Sequence, residues 1–257
     1  MQLPGDIGLC SDSWKRLPLA AALERLAGLA SLAEIYSGDG HTLLAAENRR
    51  AAAQSGLRLT VHGPYQDLEP GSTSERRRRQ AVAAHRRHLE AAAEIGAVLY
   101  VVHPDYHETP RKRDARVLAA LGRTFADLTA LQTELGVPVV IENMPGAGRS
   151  HFTRPGDLDL GELGFVLDTG HAAITGALQD FLVAPQARLQ HVHLHDNRGP
   201  ADAHDPHMPL GRGVVDARHV LSVARAAGAT VILELLNEAD VRASIVYLQA
   251  KGLVPAD

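Results

Sequence analysis

The sequence predicts an α/β protein, a (β/α)8 TIM barrel folded as one domain over residues 1–257. Three observations lead to it. Eight short apolar, β-branched runs alternate with longer Ala/Leu/Arg/Glu segments of helical period, the pattern of repeated βα units around a parallel sheet. Glycines stand where helices should end and prolines stand just past strand ends. The length of 257 residues is ordinary for a closed α/β barrel, and no Pro/Gly/Ser-rich linker divides the chain.

Taken in order, Ile7–Cys10 reads as the first strand and Leu17–Ala30 as the first helix, followed by a strand over Leu32–Tyr36 and a helix over Thr42–Ser55. The third strand is expected at Leu59–His62, closed by Pro64, and the helix after it at Glu75–Ile95, ended by Gly96. The fourth unit pairs a strand over Val98–His103, closed by Pro104, with a helix over Asp114–Leu135 ended by Gly136. Val137–Asn143, before Pro145, and Gly164–Asp168 read as strands five and six, Leu189–His195 as strand seven, Ala217–Ala227 as a helix ended by Gly228, and Thr230–Leu235 as strand eight. Asn197 to Val215 is the longest stretch without period or large apolar side chains, and long loops in compact domains usually carry function.

Hydrophobic residues at 45% and charged residues at 22% suit a soluble chain that buries a sizeable core, and the formal charge of −4 excludes a generally basic nucleic-acid-binding surface. Cys10 is the only cysteine, which rules out an intrachain disulfide and a cysteine-based zinc site and suits a reducing cytosol. With no leader-like N-terminus and no long apolar run, a cytoplasmic protein without membrane contact is expected.

In a barrel of this class, side chains at the C-terminal ends of the strands converge on one cup. Nine residues able to ligate a divalent metal sit at or near such ends: His62, His103, Glu142, Asp168, His171, His193, Asp205, His207 and Glu234. Each alone reads as a hydrogen-bonded structural residue or a helix cap. Together they would crowd carboxylates and imidazoles at one end of several buried strands, which is electrostatically expensive unless cations neutralise the acids. One ion uses three or four protein ligands, so nine imply two or three ions, and imidazole and carboxylate donors suit Zn²⁺ or its neighbours Mn²⁺ and Fe²⁺. Of the three histidines in His191-Val192-His193-Leu194-His195, the middle one is the ligand candidate, His191 the deeper packing residue and His195 the rim residue placed to touch substrate.

The blocks Val61-His62-Gly63-Pro64-Tyr65, Val102-His103-Pro104, Ile141-Glu142-Asn143, Leu167-Asp168-Thr169-Gly170-His171, His193-Leu194-His195-Asp196, Asp205-Pro206-His207-Met208-Pro209-Leu210-Gly211-Arg212-Gly213 and Leu233-Glu234 resemble the xylose-isomerase-like TIM-barrel superfamily, and within it the AP endonuclease 2 group that includes endonuclease IV. The likeness runs from the third strand to the eighth. The resemblance implies that the loop ligands are Asp205 and His207 rather than Asp202 and His204. It implies one metal on His62, His103 and Glu142, a second on Asp168, His193 and Glu234 bridged by Glu142, and a third on His171, Asp205 and His207. It also implies zinc, metal-assisted phosphodiester cleavage at an abasic site in DNA, and substrate contacts from Tyr65, His195 and Arg212.

Two segments depart from endonuclease IV: Gln66 follows Tyr65 where an apolar wedge is expected, and Ser37-Gly38-Asp39-Gly40-His41 lacks the Asn/Arg/Trp-containing segment that enters the minor groove. The alternative within the same superfamily is a sugar or sugar-phosphate isomerase or epimerase with one metal on Glu142, Asp168, His193 and Glu234, in which Glu142 and Glu234 are the catalytic acid/base pair. The expected partner is therefore a small phosphorylated or sugar substrate, or abasic-site DNA, with no protein partner implied. Arg76-Arg77-Arg78-Arg79 with Arg86 and Arg87, and Arg111-Lys112-Arg113, begin two helices on the catalytic face and read either as solvated helix surface or as a phosphate cradle.

Overall fold

The computed structural model describes residues 2–106, 112–146, 148–184, 187–202 and 204–255. Eight parallel strands close in sequence order, β1 (Ile7–Cys10), β2 (Leu32–Tyr36), β3 (Arg58–His62), β4 (Tyr100–Val102), β5 (Val139–Glu142), β6 (Gly164–Asp168), β7 (Leu189–Leu194) and β8 (Thr230–Leu233), with β8 pairing back onto β1. All eight expected strands are present. Strands four, five, seven and eight are shorter than expected, so His103, His195 and Glu234 fall just beyond the last paired residue.

The helices on the outside are α1 (Leu19–Ala27), α2 (Ala46–Gln54), α3 (Glu75–Glu94), α4 (Ala115–Leu135), α5 (Thr169–Ile174), α6 (Leu178–Val183), α7 (Ala217–Ala227) and α8 (Glu238–Ala250). Local chemistry fixes several ends. The Asp114 carboxylate accepts from the Arg116 amide to start α4, and Asp216 accepts from the amides of Arg218 and His219 to start α7. Gly136 and Gly228 end those helices with φ of 70° and 68°, a backbone state that L side chains rarely adopt. The sequence did not anticipate α5, α6 or α8.

Alternation along each strand separates two environments. Ile7, Leu9, Ile35, Val61, Val139, Ile141, Leu167 and Val192 join one large apolar cluster that includes Leu89, Leu121, Leu128 and Leu221 of the helices. Smaller apolar groups, Leu99/Val101/Val140/Val166 and Cys10/Leu32/Ile232, belong to the other face. Buried among the strands are also polar residues, Glu34, Thr60, His191 and His193, all inaccessible to solvent.

One loop anchor stands out energetically. The buried carboxylate of Asp196, just past β7, accepts through Oδ2 from the amides of Gly211 (3.0 Å), Arg212 (3.0 Å) and Gly213 (2.7 Å), and through Oδ1 from Val215 (2.9 Å) and Asn197 (3.0 Å). Gly213 is required there, since a Cβ would overlap the Asn197 carbonyl. The 197–215 loop is thereby tied to the strand it follows. Hydrogen bonds to charged acceptors contribute about 1.5–3 kcal/mol each, so Asp196→Ala is expected to lower stability by about 3 kcal/mol or more, read as the shift of the urea unfolding midpoint. A change under about 0.5 kcal/mol would contradict the anchoring role.

Candidate metal centre

The register of the sheet brings the expected ligands to one end of the barrel: Tyr36 pairs with His62, Glu142 with Val166, Asp168 with His193 and Leu233 with Leu194. They gather around Glu142. His62 Nε2 and His103 Nε2 lie 3.1 Å apart and face Glu142 Oε2 at 3.4 and 3.2 Å. Two zinc–nitrogen bonds of 2.0–2.1 Å at a tetrahedral angle would hold their donors about 3.3 Å apart, so this spacing suits a shared ion.

Next to them, His193 Nδ1 faces Glu234 Oε2 at 3.2 Å, Glu142 Oε1 at 3.4 Å and Asp168 Oδ2 at 3.9 Å. Donor atoms of Glu142, Asp168, His193 and Glu234 all fall within 4.8 Å of one another. A third set forms from Asp168, His171 and Asp205, with His171 Nε2 3.7 Å from Asp205 Oδ2, and Asp205 is shared in turn with His195 and His207. Gly170 is needed for this approach, because a Cβ there would overlap His195 and Asp205.

Three of the histidines commit the same nitrogen to a backbone carbonyl. Nδ1 of His62 meets the Gly63 carbonyl at 2.8 Å, Nδ1 of His171 the Asn143 carbonyl at 2.8 Å, and Nδ1 of His207 the Glu234 carbonyl at 3.1 Å. A carbonyl accepts only, so in each ring Nδ1 donates and Nε2 keeps its lone pair for a ligand. His207 holds this position with φ of 45°, an uncommon state for a residue with a side chain.

The electrostatics of the centre follows from acids and imidazoles crowded together away from water. Burial, reinforced by Glu142, Glu234 and Asp205, pushes the Asp168 carboxyl well above the usual carboxylate range. Burial also opposes ionisation of Glu142 and Glu234, but it is outweighed at Glu142 by His193 and His103 and at Glu234 by His193, so both carboxyls are held well below it. His193 is raised against its burial by Glu234, Glu142 and Glu34. Glu142 Oε2, Asp168 Oδ2, Glu234 Oε2 and both His193 nitrogens are buried with no aligned hydrogen-bond partner among the described residues. Unsatisfied buried polar atoms are rare in folded proteins, and these converge on one another. Divalent cations fit this donor set.

A cavity of about 730 Å³ opens onto the centre and is lined by His62, His103, Glu142, His171, His207 and Glu234. Tyr65 forms part of its wall, 44% exposed, with its ring stacked on His103 at 4.7 Å and 17°. Two expected substrate contacts are placed elsewhere. His195 does not reach the rim: it is fully buried, its backbone is pinned by the Thr169 hydroxyl, and its Nε2 meets Asp205 Oδ2 at 2.7 Å. Arg212 is exposed and absent from the cavity wall, and Asp196 accepts from its amide within the turn.

The basic clusters are largely committed to carboxylates. Arg77 pairs with Glu69, Arg78 with Glu75 and Asp127, Arg79 with Glu75, Arg86 with Glu90 and Glu134, and Arg113 with Asp157. Arg111 lies outside the described residues. Among the described residues lining the cavity, Lys15 is the one lysine or arginine, and it pairs with Asp12 at 3.2 Å.

The sequence reading missed Glu34. This acid, in the middle of β2, is inaccessible to solvent and lies 3.1 Å from Nε2 of both His191 and His193. His191, expected to pack, is thus a hydrogen-bonding residue. The signal available was a lone acid inside the apolar run Leu32-Ala33-Glu34-Ile35-Tyr36, a costly placement without a partner.

Residues 27–251 match the profile of the xylose isomerase-like TIM-barrel family. An uncharacterized protein from Methanocaldococcus jannaschii is 30% identical over 241 residues, 93% of each chain. A probable endonuclease 4 from Mycobacterium leprae is 31% identical over 236 residues, 86% of this chain and 90% of that one. In solved structures, a D-tagatose 3-epimerase-like protein superposes with a TM-score of 0.83 at 25% identity, over 96% of this chain and 97% of that one. The chain belongs to the xylose isomerase-like TIM-barrel family.

Proposed function

We propose that this member of the family is a metal-dependent phosphoester hydrolase whose substrate is small enough to enter the cavity. The observation that carries the reading is the ligand surplus: His62, His103, His171, Asp205 and His207 gather at the same mouth as Glu142, Asp168, His193 and Glu234, and a single ion has no use for nine donors. His62, His103 and Glu142 would hold one ion, Asp168, His193 and Glu234 a second, and His171, Asp205 and His207 a third, with zinc favoured over manganese or iron. Bound divalent ions would supply Lewis-acid stabilisation of the charge that develops on a phosphoester and a nucleophile at neutral pH.

The chain's own residues do the rest. Tyr65 offers an aromatic face to the substrate's organic part. Several features weigh against duplex DNA. Gln66 replaces an apolar wedge, the arginines of α3 are mostly paired, and the cavity wall carries Asp12, Asp39, Asp67, Glu69 and Asp105. A duplex is held chiefly through its phosphates by free cations. The probable endonuclease 4 relative supports the hydrolytic chemistry.

The second reading is sugar epimerisation or isomerisation, favoured by the self-sufficient Glu142/Asp168/His193/Glu234 quartet and by the likeness to the D-tagatose 3-epimerase-like protein. There Glu142 and Glu234 would pass a proton at a carbon next to a carbonyl. One experiment separates the two: metal analysis of protein purified without added metal, followed by assays on p-nitrophenyl phosphate, bis(p-nitrophenyl) phosphate, an abasic-site duplex and D-tagatose. More than one equivalent of metal, with chelator-sensitive hydrolysis of a small ester, is the expected result. A single equivalent with ketose interconversion and no hydrolysis overturns it.

A further inference from the structure

Beneath the proposed centre runs a buried polar chain that meets the ligand set at His193. Thr230 Oγ1 lies 2.6 Å from His191 Nδ1, and His191 Nε2 lies 3.1 Å from Glu34 Oε2. The Thr60 hydroxyl donates to that same oxygen at 3.1 Å, and Glu34 Oε1 lies 3.1 Å from His193 Nε2. Glu34, Thr60, His191 and His193 are all inaccessible to solvent. Water therefore cannot complete the bonding of any of them, and the chain must satisfy itself.

Donor and acceptor counting constrains the bonds to an ionised Glu34. A carboxylate accepts only, so His191 donates from Nε2 and the hydroxyl of Thr60 donates. The remaining oxygen, Oε1, has no aligned hydrogen-bond partner among the described residues, and neither has the nitrogen that faces it, Nε2 of His193. The opposite nitrogen, Nδ1, faces Glu142, Asp168 and Glu234. A ring with a carboxylate behind Nε2 keeps its proton there and presents the Nδ1 lone pair to a cation.

We infer that Glu34 is the positioning residue of this centre: it fixes the tautomer of His193, so that Nδ1 is the ligating atom. The inference rests on the reading that a divalent ion occupies the His193 position, which hydrolase and epimerase share. Such outer carboxylates raise ligand basicity and hold ring orientation, and their loss typically costs about 10–100-fold in metal affinity.

The test is Glu34→Gln, which keeps the size of the side chain but turns an amide N–H₂ toward one of the two imidazoles. Full-length chelator-stripped protein is titrated with Zn²⁺ and with Co²⁺, the latter followed by its visible spectrum. The expected result is affinity weakened about 10–100-fold at one ion position, with an altered Co²⁺ spectrum and the other positions unchanged. In zinc-loaded wild type, ¹H–¹⁵N correlation of the histidine side chains should find the His193 proton on Nε2, slow to exchange, and find it displaced in the variant. Wild-type affinity at every position in Glu34→Gln overturns the inference. So does a His193 proton on Nδ1, or a variant that loses thermal stability while its folded fraction binds metal normally, since a purely structural role predicts that pattern. If the wild type binds neither ion, the metal reading itself fails, and that outcome is distinguishable because it precedes any variant.

Discussion

Glu142→Gln is expected to reduce turnover by about a thousandfold or more, which corresponds to some 4 kcal/mol of lost transition-state stabilisation. Glu142 faces His62 and His103 through Oε2 and His193 and His171 through Oε1, so it is the side chain common to two of the donor groups. Glutamine has the same length but no charge, and its amide nitrogen cannot serve as a ligand. The cluster would lose one of the carboxylates held well below the usual range, and with it the attraction for cations on both sides. The measurements are kcat/KM on the best small ester and metal content after dialysis, and both should fall together. Unimpaired hydrolysis with full metal content would remove Glu142 from the mechanism.

Replacing Asp205 by Asn and His207 by Ala together is expected to lower hydrolysis by about a hundredfold or more while leaving any ketose epimerisation within about twofold. These residues come from the 197–215 loop, and only the surplus set requires them. The quartet of Glu142, Asp168, His193 and Glu234 has no member there. Loss of one metal equivalent should accompany the drop. Equal losses in both activities would mean that the loop acts through packing, because Asp205 also holds His195 at 2.7 Å and His207 stacks on it at 4.1 Å between ring centroids. The single variant His207→Asn discriminates further, since asparagine tolerates the left-handed backbone at this position and isolates the loss of the imidazole.

Much of the barrel was legible because most strands are compact apolar runs with a glycine or proline near one end, and all eight form. Short α5 and α6 were not, since six residues hold fewer than two turns of period. In α8 the apolar residues Val241, Ile245 and Leu248 are buried while Val246 is exposed, which blurs its face. At the site, strand-end positions brought the candidate side chains to one mouth, since alternation and strand direction are fixed by sequence. The burial of His195 and the outward placement of Arg212 depend on how the 197–215 loop folds back onto Asp196, a long-range event with no local signature. Glu34 escaped notice for a different reason: its partners lie 157 and 159 positions further along the chain, as the numbering of His191 and His193 shows.

Closure of the barrel has a further consequence. β1 supplies none of the nine proposed donors, yet it is zipped between β2 and β8, with Cys10 beside Glu34 and Leu9 beside Leu233. That four-residue strand lies between β2, which carries Glu34, and β8, which Glu234 follows, and both acids address the same imidazole. Substitutions that change how β1 packs between these neighbours would therefore shift the two acids relative to that ring, although β1 carries none of the candidate ligands.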